Sequence, residues 1–71
     1  MEKATKEQIG KKLKLERLSA KLTQDQLAKI AKVSRVNISC WENGKFIPNV
    51  IDCWRIADAL KISIDELVGR K

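Results

Sequence analysis

The apolar residues of this chain recur at helical spacings, and no stretch alternates as a half-buried strand would. Five helical segments fit the pattern. In the first, Ile9 and Leu13 share a face at i,i+4, with Ala20 near that face further on, while Leu15, Leu18 and Leu22 form a second stripe. Two stripes require two packing surfaces, or leave one partly exposed. Leu27, Ala28, Ile30 and Ala31 supply the apolar side of the second segment, and Ile38 and Trp41 that of the third. Val50, Cys53, Ala57 and Leu60 form the stripe of the fourth; Ile64, Leu67 and Val68 serve the fifth.

The polar residues between these runs mark where the helices begin. Thr5 with Gln8, Thr23 with Gln26 and Ser63 with Glu66 have capping-box spacing: the hydroxyl accepts from a free backbone N–H, and the later side chain reaches back. Ser34 and Asn49 are the expected N-caps of the third and fourth segments, with Val33 as the apolar plug of the turn before the third. Asp52 falls in the first turn of the fourth, at the positive end of its dipole. Gly44 suits a left-handed position after a helix end, and Lys45 to Pro48 reads as a loop. The expectation is an all-α fold of five helices, one domain spanning 1–71 with an ordered core of about 5–68.

With one Pro and three Gly, a turn-rich β fold is disfavoured. There is no apolar run of the ~20 residues a membrane helix needs, and no apolar segment follows the basic N-terminus as in a signal peptide. A cytoplasmic location without a membrane partner is therefore expected. The absence of His excludes Ser/His and Cys/His catalytic pairs and most zinc arrangements. No catalytic residue, metal or cofactor is expected, so the chain does not read as an enzyme. Cys40 and Cys53 form no C-x-x-C motif; Cys53 reads as a small buried apolar residue, and a disulfide is not expected in the cytosol.

Charge adds a direction. The formal net charge is +6, and residues 1–45 hold eleven basic and five acidic side chains, whereas residues 46–71 are balanced. A basic excess confined to one part of a small domain suits nucleic-acid binding, and equally a solubilising surface. The span Gln24–Gly44 weighs on the first reading. Two short helices joined by a tight turn around Ala31, Lys32 and Val33 have helix-turn-helix geometry. Such a pair presents the start of its second helix outward, at a size that fits the DNA major groove, about 12 Å wide.

The ordered set Thr23-Gln24, Leu27-Ala28, Val33-Ser34, Ile38-Ser39 and Trp41-Glu42-Asn43-Gly44 resembles the lambda-repressor-like (Cro/XRE-type) helix-turn-helix family of DNA-binding domains. The likeness runs back through Ile9-Gly10, Leu13 and Arg17, and forward through Pro48, Ile56-Ala57, Ala59-Leu60 and Ile64 to Leu67. It implies a sequence-specific regulator of transcription, a repressor by occlusion of polymerase, bound as a homodimer to a palindromic double-stranded operator. Recognition helices would lie ~34 Å apart in successive major grooves.

The resemblance also implies roles. Arg35, Val36, Asn37 and Cys40 take the base-reading positions: Arg35 toward guanine or a phosphate, Asn37 toward adenine, Val36 toward a thymine methyl. Gln24, Ser34, Asn43 and Lys45 take the phosphate-contacting positions, with capping an equal explanation for Ser34. Arg17 and Glu42 correspond to a partly buried salt bridge that fixes the recognition helix. Ile51, Trp54, Ile62, Ile64 and Leu67 are the expected dimer surface, although Trp54 also reads as a cover for the core edge. The chain departs from the family's pattern at Lys21 and Lys32, where glycine is common and positive φ is needed, and at Glu16, where an apolar residue is usual. An antitoxin or restriction-modification controller of the same fold, and an adaptor that binds protein rather than DNA, are the competing readings.

Overall fold

The computed structural model describes residues 5–67, and its helices start at the residues that can satisfy a free helix end. α1 (Lys6–Ser19) begins after Thr5, α2 (Gln24–Ala31) after Thr23, α3 (Arg35–Glu42) after Ser34, and α4 (Val50–Leu60) after Asn49. α5 is the single turn Ile64–Leu67. The capping boxes are complete: Gln8 N donates to Thr5 Oγ1 at 3.1 Å and Thr5 N to Gln8 Oε1 at 2.9 Å. The Thr23–Gln26 pair repeats this at 3.0 and 2.8 Å, and Ser63 and Glu66 close theirs at 3.0 Å both ways. Asn49 Oδ1 accepts from Asp52 N at 2.8 Å.

The four longer helices share one way of ending. A residue at positive φ reverses the chain, and the next N–H bonds the carbonyl five residues back. The left-handed residues are Lys21, Lys32, Gly44 and Lys61, at φ 60, 60, 73 and 59°. The closing bonds are Leu22 to Arg17, Val33 to Ala28, Lys45 to Cys40 and Ile62 to Ala57, all 3.0–3.1 Å. Lys21 and Lys32 thus adopt the backbone expected of glycine, at a cost of roughly 1 kcal/mol each. Lys61 does the same without having been singled out from the sequence. Leu22, Val33 and Ile62, which follow the three lysines, pack against the core and offset that cost.

α1 packs on α3 and α5, α2 on α3 and α4, and α4 on α5. Leu13, Leu27, Ile38, Trp41, Ile56 and Leu67 are the large side chains fully buried between them. The close approach of α1 to α3 depends on Gly10. A Cβ there would collide with the Trp41 carbonyl oxygen and stand 2.9 Å from that of Glu42. Among the described residues, no helix is long and apolar enough to cross a membrane.

Several expected core positions lie outside the core. Leu15 and Leu18 are exposed, as is Ala20, so the second stripe of α1 contributes only Leu22. Leu15 points away from the face that carries Ile9, Gly10, Leu13 and Arg17. Glu16, at the position usually apolar, is half-buried and pairs with Lys12 at 3.0 Å. Ile30 is exposed because the seam of α2 runs through Leu27, Ala28 and Ala31. Val50 overhangs the core by one turn, and Ile56, absent from the expected stripe, completes the face with Cys53, Ala57 and Leu60. Leu67 is buried in the protomer's own core, which removes it from the expected dimer surface, and Ile62 is half-buried against the same core. Val68 lies outside the described residues.

Candidate nucleic-acid interface

α2 and α3 are separated by a three-residue turn: Lys32 in the left-handed region, Val33 turned inward and Ser34 extended. Ser34 Oγ accepts from Val36 N at 3.1 Å and so fixes the start of α3. Its hydroxyl proton remains available as a donor. Ile38 and Trp41 hold the inner face of α3 in the core. The outer face carries Arg35 and Val36, both exposed, and Asn37, Ser39 and Cys40, half-buried. The four positions expected to read bases therefore lie on the surface of one helix.

A polar network locks this helix from behind. Arg17 Nε donates to Glu42 Oε2 at 2.7 Å and Nη2 to Glu42 Oε1 at 3.1 Å, a two-bonded fork. Its Nη1 donates to the Leu22 carbonyl oxygen at 2.7 Å. The two side chains are only 9% and 3% exposed, so the pair sits between α1 and α3 in low dielectric. Gln24 Nε2 donates to Glu42 Oε1 at 3.1 Å. Two elements, α1 through Arg17 and α2 through Gln24, thus hold the last residue of α3, and the α1–α2 turn holds Arg17 in place. An amide nitrogen has two protons, so Gln24 keeps one for a second acceptor.

Asn43 and Lys45 lie exposed just past α3. Asn43 Nδ2 donates to Ser39 Oγ at 3.4 Å, and the Lys45 N–H is spent on the end of the helix. Gly44 packs against Glu7, which an added Cβ would meet at 3.2–3.3 Å. Arg35 Nε lies 3.4 Å from Asp25 Oδ1 across the turn. Reasoning from sequence missed this pair and the Leu22 carbonyl. The Asp25–Arg35 pair depends on how α2 and α3 cross, whereas the Leu22 carbonyl lies only five residues from Arg17, across the left-handed turn at Lys21. Gly10 did carry a signal, a glycine on the apolar face beside Ile9 and Leu13.

The cysteines differ. Cys53 is buried, its thiol donating to the Pro48 carbonyl oxygen at 3.5 Å. Burial, with a smaller contribution from the charge of Asp52, pushes its pKa above the ordinary thiol value. Cys40 is half-buried on the outer face of α3, and both thiols are free. Of the expected dimer residues, Ile51, Trp54 and Ile64 are exposed, as are the apolar side chains of Phe46, Ile47 and Val50.

Known proteins resemble this chain in sequence and in fold. The chain is 41% identical over 62 residues to the HTH-type transcriptional activator BcrR of Enterococcus faecalis, covering 87% of this chain and 30% of that protein. It is 39% identical over 62 residues to the cryptic phage CTXphi transcriptional repressor RstR of Vibrio cholerae, covering 87% of this chain and 55% of that one. The chain therefore spans about half or less of these curated relatives. Among solved structures, the restriction-modification controller protein C.AhdI of Aeromonas hydrophila superposes with a TM-score of 0.84 at 26% identity, covering 87% of this chain and 94% of that one. The P22 c2 repressor, solved in complex with a synthetic operator, superposes with a TM-score of 0.79 at 34% identity, covering 83% and 89%. The helix-turn-helix family model HTH_3 matches residues 13–67. With the two short helices, their tight turn and the braced second helix all in place, the chain belongs to the Cro/C1-type helix-turn-helix family.

Proposed function

We propose that this chain binds double-stranded DNA sequence-specifically and regulates transcription, with α3 in the major groove. The observation that carries the proposal is a surface helix whose last residue, Glu42, is hydrogen-bonded by Arg17 and Gln24 while Arg35 and Val36 at its start are exposed. Arg35, Val36, Asn37 and Cys40 read base edges; a bidentate Arg–guanine or Asn–adenine pair discriminates by about 1–3 kcal/mol. Gln24, through its second amide proton, and Ser34, Asn43 and Lys45 bond phosphates. The charge of +6 supplies attraction without sequence.

The protein acts as a homodimer on a palindromic operator. Support comes from Ile51 and Trp54, apolar and mostly exposed at 61% and 60% on the outer face of α4, in the charge-balanced part of the chain. Ile64 and half-buried Ile62 are the further residues assigned to this surface. Repression follows by occluding polymerase. The P22 c2 repressor, solved with a synthetic operator, supports the DNA-reading assignment. A controller of a restriction-modification system is the second reading, favoured by the superposition on C.AhdI at a TM-score of 0.84.

Selection of bound duplexes from a random pool at physiological salt tests the proposal. A palindrome with half-sites one helical turn apart is the expected product, with Arg35→Ala relaxing one position in each half-site. Weak, salt-sensitive retention without enrichment would defeat it.

A further inference from the structure

We propose that Asp25 is a positioning residue that aims Arg35 and sets the specificity of the reading helix. This rests on the DNA-reading function proposed above and assigns a determinant that lies outside α3. Asp25 is the second residue of α2 and Arg35 the first of α3. The turn at residues 32–34 brings them together, with Arg35 Nε 3.4 Å from Asp25 Oδ1. Both line the cleft between the end of α1 and the starts of α2 and α3, beside Lys21 and Gln24.

The pair is open to water, its side chains 55% and 70% exposed, so it adds little to folding stability. Its effect is directional. A guanidinium carries its donors in a rigid planar fork. Nε is the guanidinium nitrogen nearest Asp25, so the Nη1 and Nη2 end remains for a guanine O6/N7 edge. Docking removes water and strengthens the attraction, so the orientation is held best when the base is read. The carboxylate also acts on the alternatives. It stands next to Gln24, a proposed phosphate contact, and repels a phosphate that would otherwise capture Arg35. Asp25 therefore lowers sequence-independent attraction while sharpening the choice of base.

The test uses the duplex selected by the parent protein and its three alternatives at the position that Arg35→Ala relaxes. Asp25→Asn keeps the shape and removes the charge. Its expected signature is split: tighter binding to unrelated duplex, with a steeper salt dependence, together with a loss of about fivefold or more in discrimination at that one position. In an Arg35→Ala background the same substitution should change affinity but not base preference. Parental discrimination by a folded Asp25→Asn protein would overturn the proposal. So would an equal loss of discrimination with Arg35 absent, since Asp25 would then act through something else. If the parent selects no sequence, the DNA-reading function itself fails, an outcome distinct from both.

Discussion

Two arginine–carboxylate pairs flank the helix-turn-helix, and they differ in almost everything except charge. Arg17–Glu42 is buried, bonded twice, and shares its carboxylate with Gln24. Arg35–Asp25 is exposed, approached through one nitrogen at 3.4 Å, and has no further partner in the described hydrogen bonds. In low dielectric an ion pair holds only if nearly every donor and acceptor is used, and then neither partner can be spared. In water the same chemistry is exchangeable, and a ligand can recruit one partner. The first pair thus belongs to the fold and the second to the surface proposed to read DNA.

The sharpest break of this contrast is Glu42→Ala. It strands a buried guanidinium and should cost about 3–5 kcal/mol, most of what a domain of this size has. Thermal denaturation followed by circular dichroism measures it. A variant that melts like the parent would refute the structural role of the pair. Gly10→Ala attacks the same seam from α1, where the new methyl meets the Trp41 and Glu42 carbonyls. Overpacking there should cost about 1–3 kcal/mol in urea titration, with the m-value unchanged.

Gln24 stands between the two pairs. Removing its amide leaves Glu42 with both arginine bonds, so Gln24→Ala should lose only about 0.5–1.5 kcal/mol of stability. Its cost in DNA affinity should appear alike on every duplex, because a phosphate contact carries no sequence information. Affinities for a selected and an unrelated duplex, compared side by side, check this. A loss confined to the selected duplex would move Gln24 from positioning to reading.

How much of this was legible in the sequence follows the range of each interaction. Thr5, Thr23, Asn49 and Ser63 act within three residues, so their caps were readable as spacing. The stripes were only partly readable. Leu15, Ile30 and Val50 have apolar side chains, but the exposed side of each helix is set by its neighbours, which a one-dimensional pattern omits. The four positions proposed to read bases were named by resemblance, and the fold brings them to one surface. Arg17 and Glu42 came by the same route. Asp25 was not found, because its partner lies ten residues away across a turn whose geometry depends on Lys32 at positive φ. Leu67 reads both as part of the fifth helix's apolar face and, by resemblance, as dimer surface; it is buried where α5 packs on α1 and α4, which fits the first.

Arg35→Ala makes the smallest change to the fold and the most specific change to function. An exposed pair is worth about 0–1 kcal/mol, and Asp25 left alone is solvated in the first turn of α2, where its charge suits the helix dipole. The melting temperature should therefore stay near the parent's. Base preference at one operator position should flatten all the same, by up to the about 1–3 kcal/mol a bidentate contact supplies. Melting and competition binding on the same preparation separate the two effects. A melting temperature that falls as far as it does for Glu42→Ala would mean that the exposed pair carries structure after all. The division between a pair that holds the helix and a pair that aims it would then collapse.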